Sequence, residues 1–107
     1  MSKKKMYSKH LRKGTFHLHN DKNGGHPALI LEKNDKKNIY KLAKFTHKAK
    51  KNRFKLKHNI DPNSNKDTYV HSKPIYSVRK NISSKELDRY RIHKDDKPLI
   101  NRIKKMK

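Results

Sequence analysis

The chain reads as a small, mostly β domain with helices towards its C-terminal end. Three observations predict this. Short apolar or alternating stretches recur between turn-forming clusters from Pro27 onward, helical spacing is confined to the last part of the chain, and the apolar content limits the core to a small one. The 107 residues carry 31 Lys plus Arg against 9 Asp plus Glu, a formal charge of +22, so one domain at most is expected. Leu, Ile, Val and Phe make up 21 of the 107 residues, which borders on the composition of highly charged disordered chains. The ordered patterning from 27 to 103 outweighs that hint.

Residues 1–13 read as a mobile basic arm, with Lys3, Lys4, Lys5, Lys9, His10, Arg12 and Lys13. Residues 14–107 form the single small domain. Asn20-Asp21-Lys22-Asn23-Gly24-Gly25 is a turn with positive-φ positions. PALILE, starting at Pro27, and Ile39 to Phe45 are two strands joined through Lys33–Lys37 as a hairpin. Arg53 to Lys57 alternates as a third strand. Thr68 to His71 makes a fourth after the Asp61-Pro62-Asn63 turn, and Ile75 to Val78 a fifth after Pro74. Ser83 with Glu86 three residues later is a capping box and predicts a short helix over 84–90. Asp95 and Asp96 suit the start of a last helix, with Pro98 in its first turn and Leu99, Ile100 and Ile103 on one face. Five short strands and two late helices predict a compact, curved small β-barrel with helical additions.

The charge selects the partner. A charge of +22 is relieved by a polyanion, and nucleic acid leads over a membrane surface, because no acyl-anchor motif or strongly apolar amphipathic face is evident. With 25 Lys and only 6 Arg, the excess reads as general electrostatics rather than base-edge readout. The chain has no Cys, so disulfides and thiolate metal sites are excluded. The longest apolar run, 28–31, is too short to cross a bilayer, and no signal h-region follows the basic start, so a cytoplasmic location is expected. No phosphate-binding glycine fingerprint or carboxylate pair is present, and no cofactor is expected.

Two histidine-bearing segments carry the chemistry. Gly24-Gly25-His26-Pro27 sets an imidazole at a strand mouth, and Thr46-His47-Lys48 lies at the exit of the second hairpin strand. If those strands pair as a hairpin, Pro27 and Phe45 face one another and bring His26, Thr46 and His47 to one end. Lys48, Lys50, Lys51 and Arg53 follow as phosphate contacts. Phe54 and Tyr69, with Tyr40 and Tyr76, offer faces for base stacking or simply form core. His17-Leu18-His19 puts two imidazoles on one strand face, a chelating pair with His26 as a third ligand, or else a source of surface charge.

GGHPALIL, KLAKFTH, FKLKHNIDPNS, TYVHSKPIY and IHKDDKPLINRIKK, in that order over about 24–104, resemble the MazF/PemK-like family, especially its small divergent members from bacterial and phage genomes. That resemblance implies an SH3-like barrel, usually a homodimer, and a toxin endoribonuclease that cuts single-stranded RNA without metal and is held by an acidic antitoxin. It also aligns Thr46 with the family's catalytic Thr or Ser. His26 stands where the family has Arg, so charge on the reacting phosphate would be met here by an imidazolium. Two other readings stand beside it: a non-catalytic nucleic-acid-binding protein, ribosome-associated or phage-encoded, and an inhibitor module that docks on an acidic protein surface.

Overall fold

A computed structural model describes residues 11–22, 24–34 and 36–107. Among these residues it is mostly β, with seven antiparallel strands and one C-terminal α-helix. The strands are β1 (Phe16–Asp21), β2 (Gly24–Asn34), β3 (Ile39–Thr46), β4 (Arg53–Lys55), β5 (Tyr69–His71), β6 (Ile75–Val78) and β7 (Ile82–Glu86), and the helix is α1 (Lys97–Lys105). Hydrogen-bonded neighbours run β4-β5-β3-β2-β1-β7, with β6 also pairing with β3. Residues 1–10 of the expected arm lie outside the described residues. Of its remainder, Leu11 is buried, and its backbone N–H donates to the Tyr40 hydroxyl.

The β2–β3 hairpin is the centre of the molecule. Its apolar run is continuous because both faces are covered. Leu29, Leu31, Ala43 and Phe45 pack with Phe16, Val70, Ile100 and Ile103 on one side, whereas Ala28, Ile30, Tyr40 and Leu42 pack with Leu11 and Ile82 on the other. The pairs Ile30–Leu42 and Glu32–Lys41 leave Leu31 as an extra residue, a β-bulge that bends the sheet. Asn38 closes the hairpin at φ 52°, a left-handed conformation that Asn tolerates.

Strands β1 and β7 were not among the five that the sequence predicts. The expected 20–25 turn is tighter than the residues suggest, because Asp21 pairs with Gly24 and Asn20 with Gly25. Gly25 permits this close approach, since a Cβ there would meet Asn20 Oδ1 at 2.9 Å. The expected 84–90 helix does not form. Ile82 to Glu86 instead pairs with the free edge of β1, His19 opposite Ile82 and His17 opposite Glu86, and the Leu87 N–H donates to the Phe16 carbonyl at 2.7 Å. A capping box contributes about 1 kcal/mol, less than burying Ile82 and satisfying a strand edge. Arg79, itself buried, locks the turn before β7 by donating to the Ile82 carbonyl and the Ser84 hydroxyl, both at 2.6 Å.

The final helix forms as expected, with Pro98 in its first turn and Ile100 and Ile103 buried. Its ends are held by residues with less obvious roles. Lys41 extends its ammonium from β3 to donate to the carbonyls of Lys104 and Met106, satisfying acceptors at the helix C-terminus. The buried Asp96 carboxylate makes no cap bond to the helix. It accepts the backbone N–H groups of Lys57 and His58 at 2.8 and 3.0 Å. Asp96→Ala is therefore expected to cost about 2–3 kcal/mol, because it leaves charge-assisted bonds unmade. The exposed neighbour Asp95→Ala should cost much less, because solvent screens its ion pairs. Urea unfolding of the two variants checks the contrast, and equal losses would contradict it.

Candidate functional site

The β2–β3 register sets Ala28 opposite Lys44. One residue further on, Pro27 and Phe45 come side by side, and the chain segments bearing His26 and Thr46 meet beyond them. His26, Thr46, His47 and Lys48 line a single pocket of about 270 Å³ at this end of the sheet. The spacing argument thus brings its three candidate catalytic residues together. Three further polar residues, Asp61, Thr68 and Tyr90, line the same pocket. Asp61 comes from the turn before β5 and Tyr90 from the turn that replaces the expected helix, so neither is near the pocket in sequence.

Hydrogen bonds fix what each group can offer. The His47 Nδ1 lies 3.0 Å from the Asp67 carbonyl, and a carbonyl only accepts, so Nδ1 carries the proton and Nε2 holds the free lone pair of the neutral ring. The Thr46 hydroxyl oxygen accepts the Lys48 N–H at 3.3 Å, which leaves its own proton available to donate. His26 pairs across the strands with His19, and its Nδ1 is buried with no hydrogen-bond partner within reach. Asp61 accepts from the Asn63 N–H at 2.9 Å, and Arg89 lies 3.7 Å from it.

Beside the pocket, Lys50, Lys51, Asn52, Arg53 and His71 line an open groove of about 550 Å³. Arg53 donates to the Lys48 carbonyl at 2.8 Å and so ties the loop to β4. In the β4–β5 pair, Arg53 lies opposite His71, and Lys55 opposite Tyr69. Phe54 is 37% exposed, Tyr69 is half-buried and Tyr76 is 55% exposed, so these rings have accessible area. Tyr40 is 1% exposed and belongs to the core.

His17 and His19 do not supply surface charge. Both are buried: His17 Nδ1 lies 2.9 Å from the Ser83 carbonyl, and His19 Nε2 lies 3.0 Å from the Ser77 hydroxyl. Burial pushes the affinity of both rings for a proton below the ordinary histidine value, and the Lys44 charge adds to this at His19. His71 is pushed down to about 4, first by burial and then by the positive charges of Arg53, Lys44 and His26. Lys44 forms an ion pair with Asp21 on the same side of the sheet. No protein-family model matches the chain, and no curated protein matches it.

Proposed function

We propose that this protein binds single-stranded RNA along the Lys50–Arg53 groove and cuts it in the pocket lined by His26, Thr46, His47 and Lys48. The observation that carries the reading is the single pocket lined by His26, Thr46, His47 and Lys48, with a lysine-lined groove following in the chain. RNA carries its own nucleophile. His47 Nε2 takes the proton from a ribose 2′-OH, the 2′-oxygen attacks phosphorus and the P–O5′ bond breaks. Protonated His26 then returns a proton to the leaving 5′-oxygen. Thr46 and Lys48 donate to the phosphate oxygens as their charge grows. The products are a 2′,3′-cyclic phosphate and a 5′-hydroxyl. The open antiparallel sheet with its terminal helix is read, on the same proposal, as a variant of the small SH3-like barrel.

The binding half is tested by titrating a fluorescent single-stranded RNA at several salt concentrations. Affinity should fall by about two decades or more between about 50 and 200 mM salt, because each neutralised phosphate releases counterions. Replacing Lys50 and Lys51 by Ala should reduce that salt slope by about 1–2, without changing sequence preference. Salt-independent affinity would remove the RNA reading. The rival reading as a non-catalytic binder predicts the same salt slope and differs only in chemistry.

A further inference from the structure

Away from the pocket, His58, His93 and Asp95 gather at the start of the last helical segment. They are exposed and distant in sequence, with one ligand-bearing atom from each lying within 4.8 Å of the others. His58 Nε2 is 3.0 Å and His93 Nδ1 is 3.4 Å from the same carboxylate oxygen, Asp95 Oδ2. Ligand atoms about 2.0–2.1 Å from a tetrahedral zinc stand a little over 3 Å apart, so these separations match the edges of such a site.

We propose that His58, His93 and Asp95 form a binding site for one divalent transition-metal ion of the zinc class, with water in the fourth position. Two imidazoles and one carboxylate suit zinc, nickel or copper. Magnesium and calcium call for oxygen ligands throughout. The site has a partly built frame. Asp96 holds the backbone N–H of His58 at 3.0 Å. The His93 Nδ1 lone pair accepts the Asp95 N–H at 3.1 Å, a bond that an ion must displace for Nδ1 to ligate. The two rings are stacked with centroids 3.6 Å apart and 24° between planes, and they must splay for both lone pairs to reach one ion. Both side chains are partly open to solvent, His58 by 43% and His93 by 40%, which leaves room for this movement. A bound ion would join the 57–58 segment to the 3-10 turn Lys94–Asp96 that leads into α1, and so act as a clamp on the helix. Neighbouring Lys57, Lys94 and Lys97 weaken the site by repulsion, an effect that physiological salt screens beyond about 8 Å.

The test is a titration of the untagged full chain, free of RNA, with zinc chloride by calorimetry and by NMR of the histidine rings. One equivalent should bind, the ring signals of His58 and His93 should shift, and saturating zinc should raise the melting temperature by several degrees. Magnesium at the same concentration should do none of these. His93→Gln and His58→Gln should each weaken zinc binding about tenfold or more, and neither residue is buried, so both variants should fold. The chain has eight histidines, so the variants decide the assignment. No saturable zinc binding, or unchanged binding in the double variant, would overturn the proposal.

Discussion

His26→Ala is expected to lower the rate of RNA cleavage by about two to four decades, while RNA affinity changes only a few-fold. The reason is division of labour. On the proposed reading the lysines of the 48–53 loop hold the RNA, whereas His26 is one residue of the pocket wall and would be needed only when the 5′-oxygen leaves. His47→Ala should cost a similar factor, since its Nδ1 is engaged by the Asp67 carbonyl and its Nε2 is the free base. Thr46→Ala should cost about one to three decades through loss of a hydrogen bond to the developing charge. Single-turnover cleavage with separately measured affinity distinguishes these effects. Two imidazoles with opposite protonation requirements also predict a bell-shaped rate profile, and each His variant should remove one limb. Equal losses in affinity and rate would mean that His26 only holds the strand.

Acidification is expected to destabilise the fold steeply between about pH 6.5 and 4. In the folded protein His71 stays neutral down to about 4, and His17 and His19 are also held below the ordinary histidine value, all three chiefly by burial. In the unfolded chain the same rings take up a proton near 6.5. Over that window the unfolded state binds more protons, so stability rises with pH and is lost as pH falls. At about 1.4 kcal/mol per pH unit of difference, His71 accounts for about 2 kcal/mol after screening at its partly exposed edge is allowed for. That is a large share of a typical stability of about 5–15 kcal/mol. Urea midpoints measured from pH 7.5 to 4.5 should drop progressively, and His71→Asn should flatten the slope. A midpoint constant over that range would show that these rings remain solvated.

The hairpin and the residues gathered at its end are legible in the sequence because both rest on simple local patterns. The short apolar run PALILE marks the first strand and period-two alternation over 39–45 the second, and pairing them as a hairpin sets Pro27 beside Phe45. The neighbouring strands were harder to see. β1 presents His17 and His19 to the interior, where an apolar pattern would be expected, and their burial is offset by the nearby Thr15 hydroxyl together with two distant partners, the Ser83 carbonyl and the Ser77 hydroxyl. β7 carries a helix-start signal that tertiary pairing overrides. Because the 84–90 segment was read as helix, Tyr90 had no route to the pocket. Asp61 looked like a turn residue, which it also is. Asp96 was expected at the helix start and is found there, yet its carboxylate serves the 57–58 backbone rather than the helix. A one-dimensional pattern holds no record of that contact.

On the proposed reading, the strand-end pocket performs chemistry on RNA with its own side chains. The most direct test is incubation of the purified full chain with a long single-stranded RNA in excess chelator, followed by end-group analysis of the products. Fragments ending in a 2′,3′-cyclic phosphate and beginning with a 5′-hydroxyl are expected, with DNA and 2′-O-methyl RNA left intact under the same conditions. RNA that is bound but remains uncut would contradict that reading, and so would cleavage that the chelator abolishes.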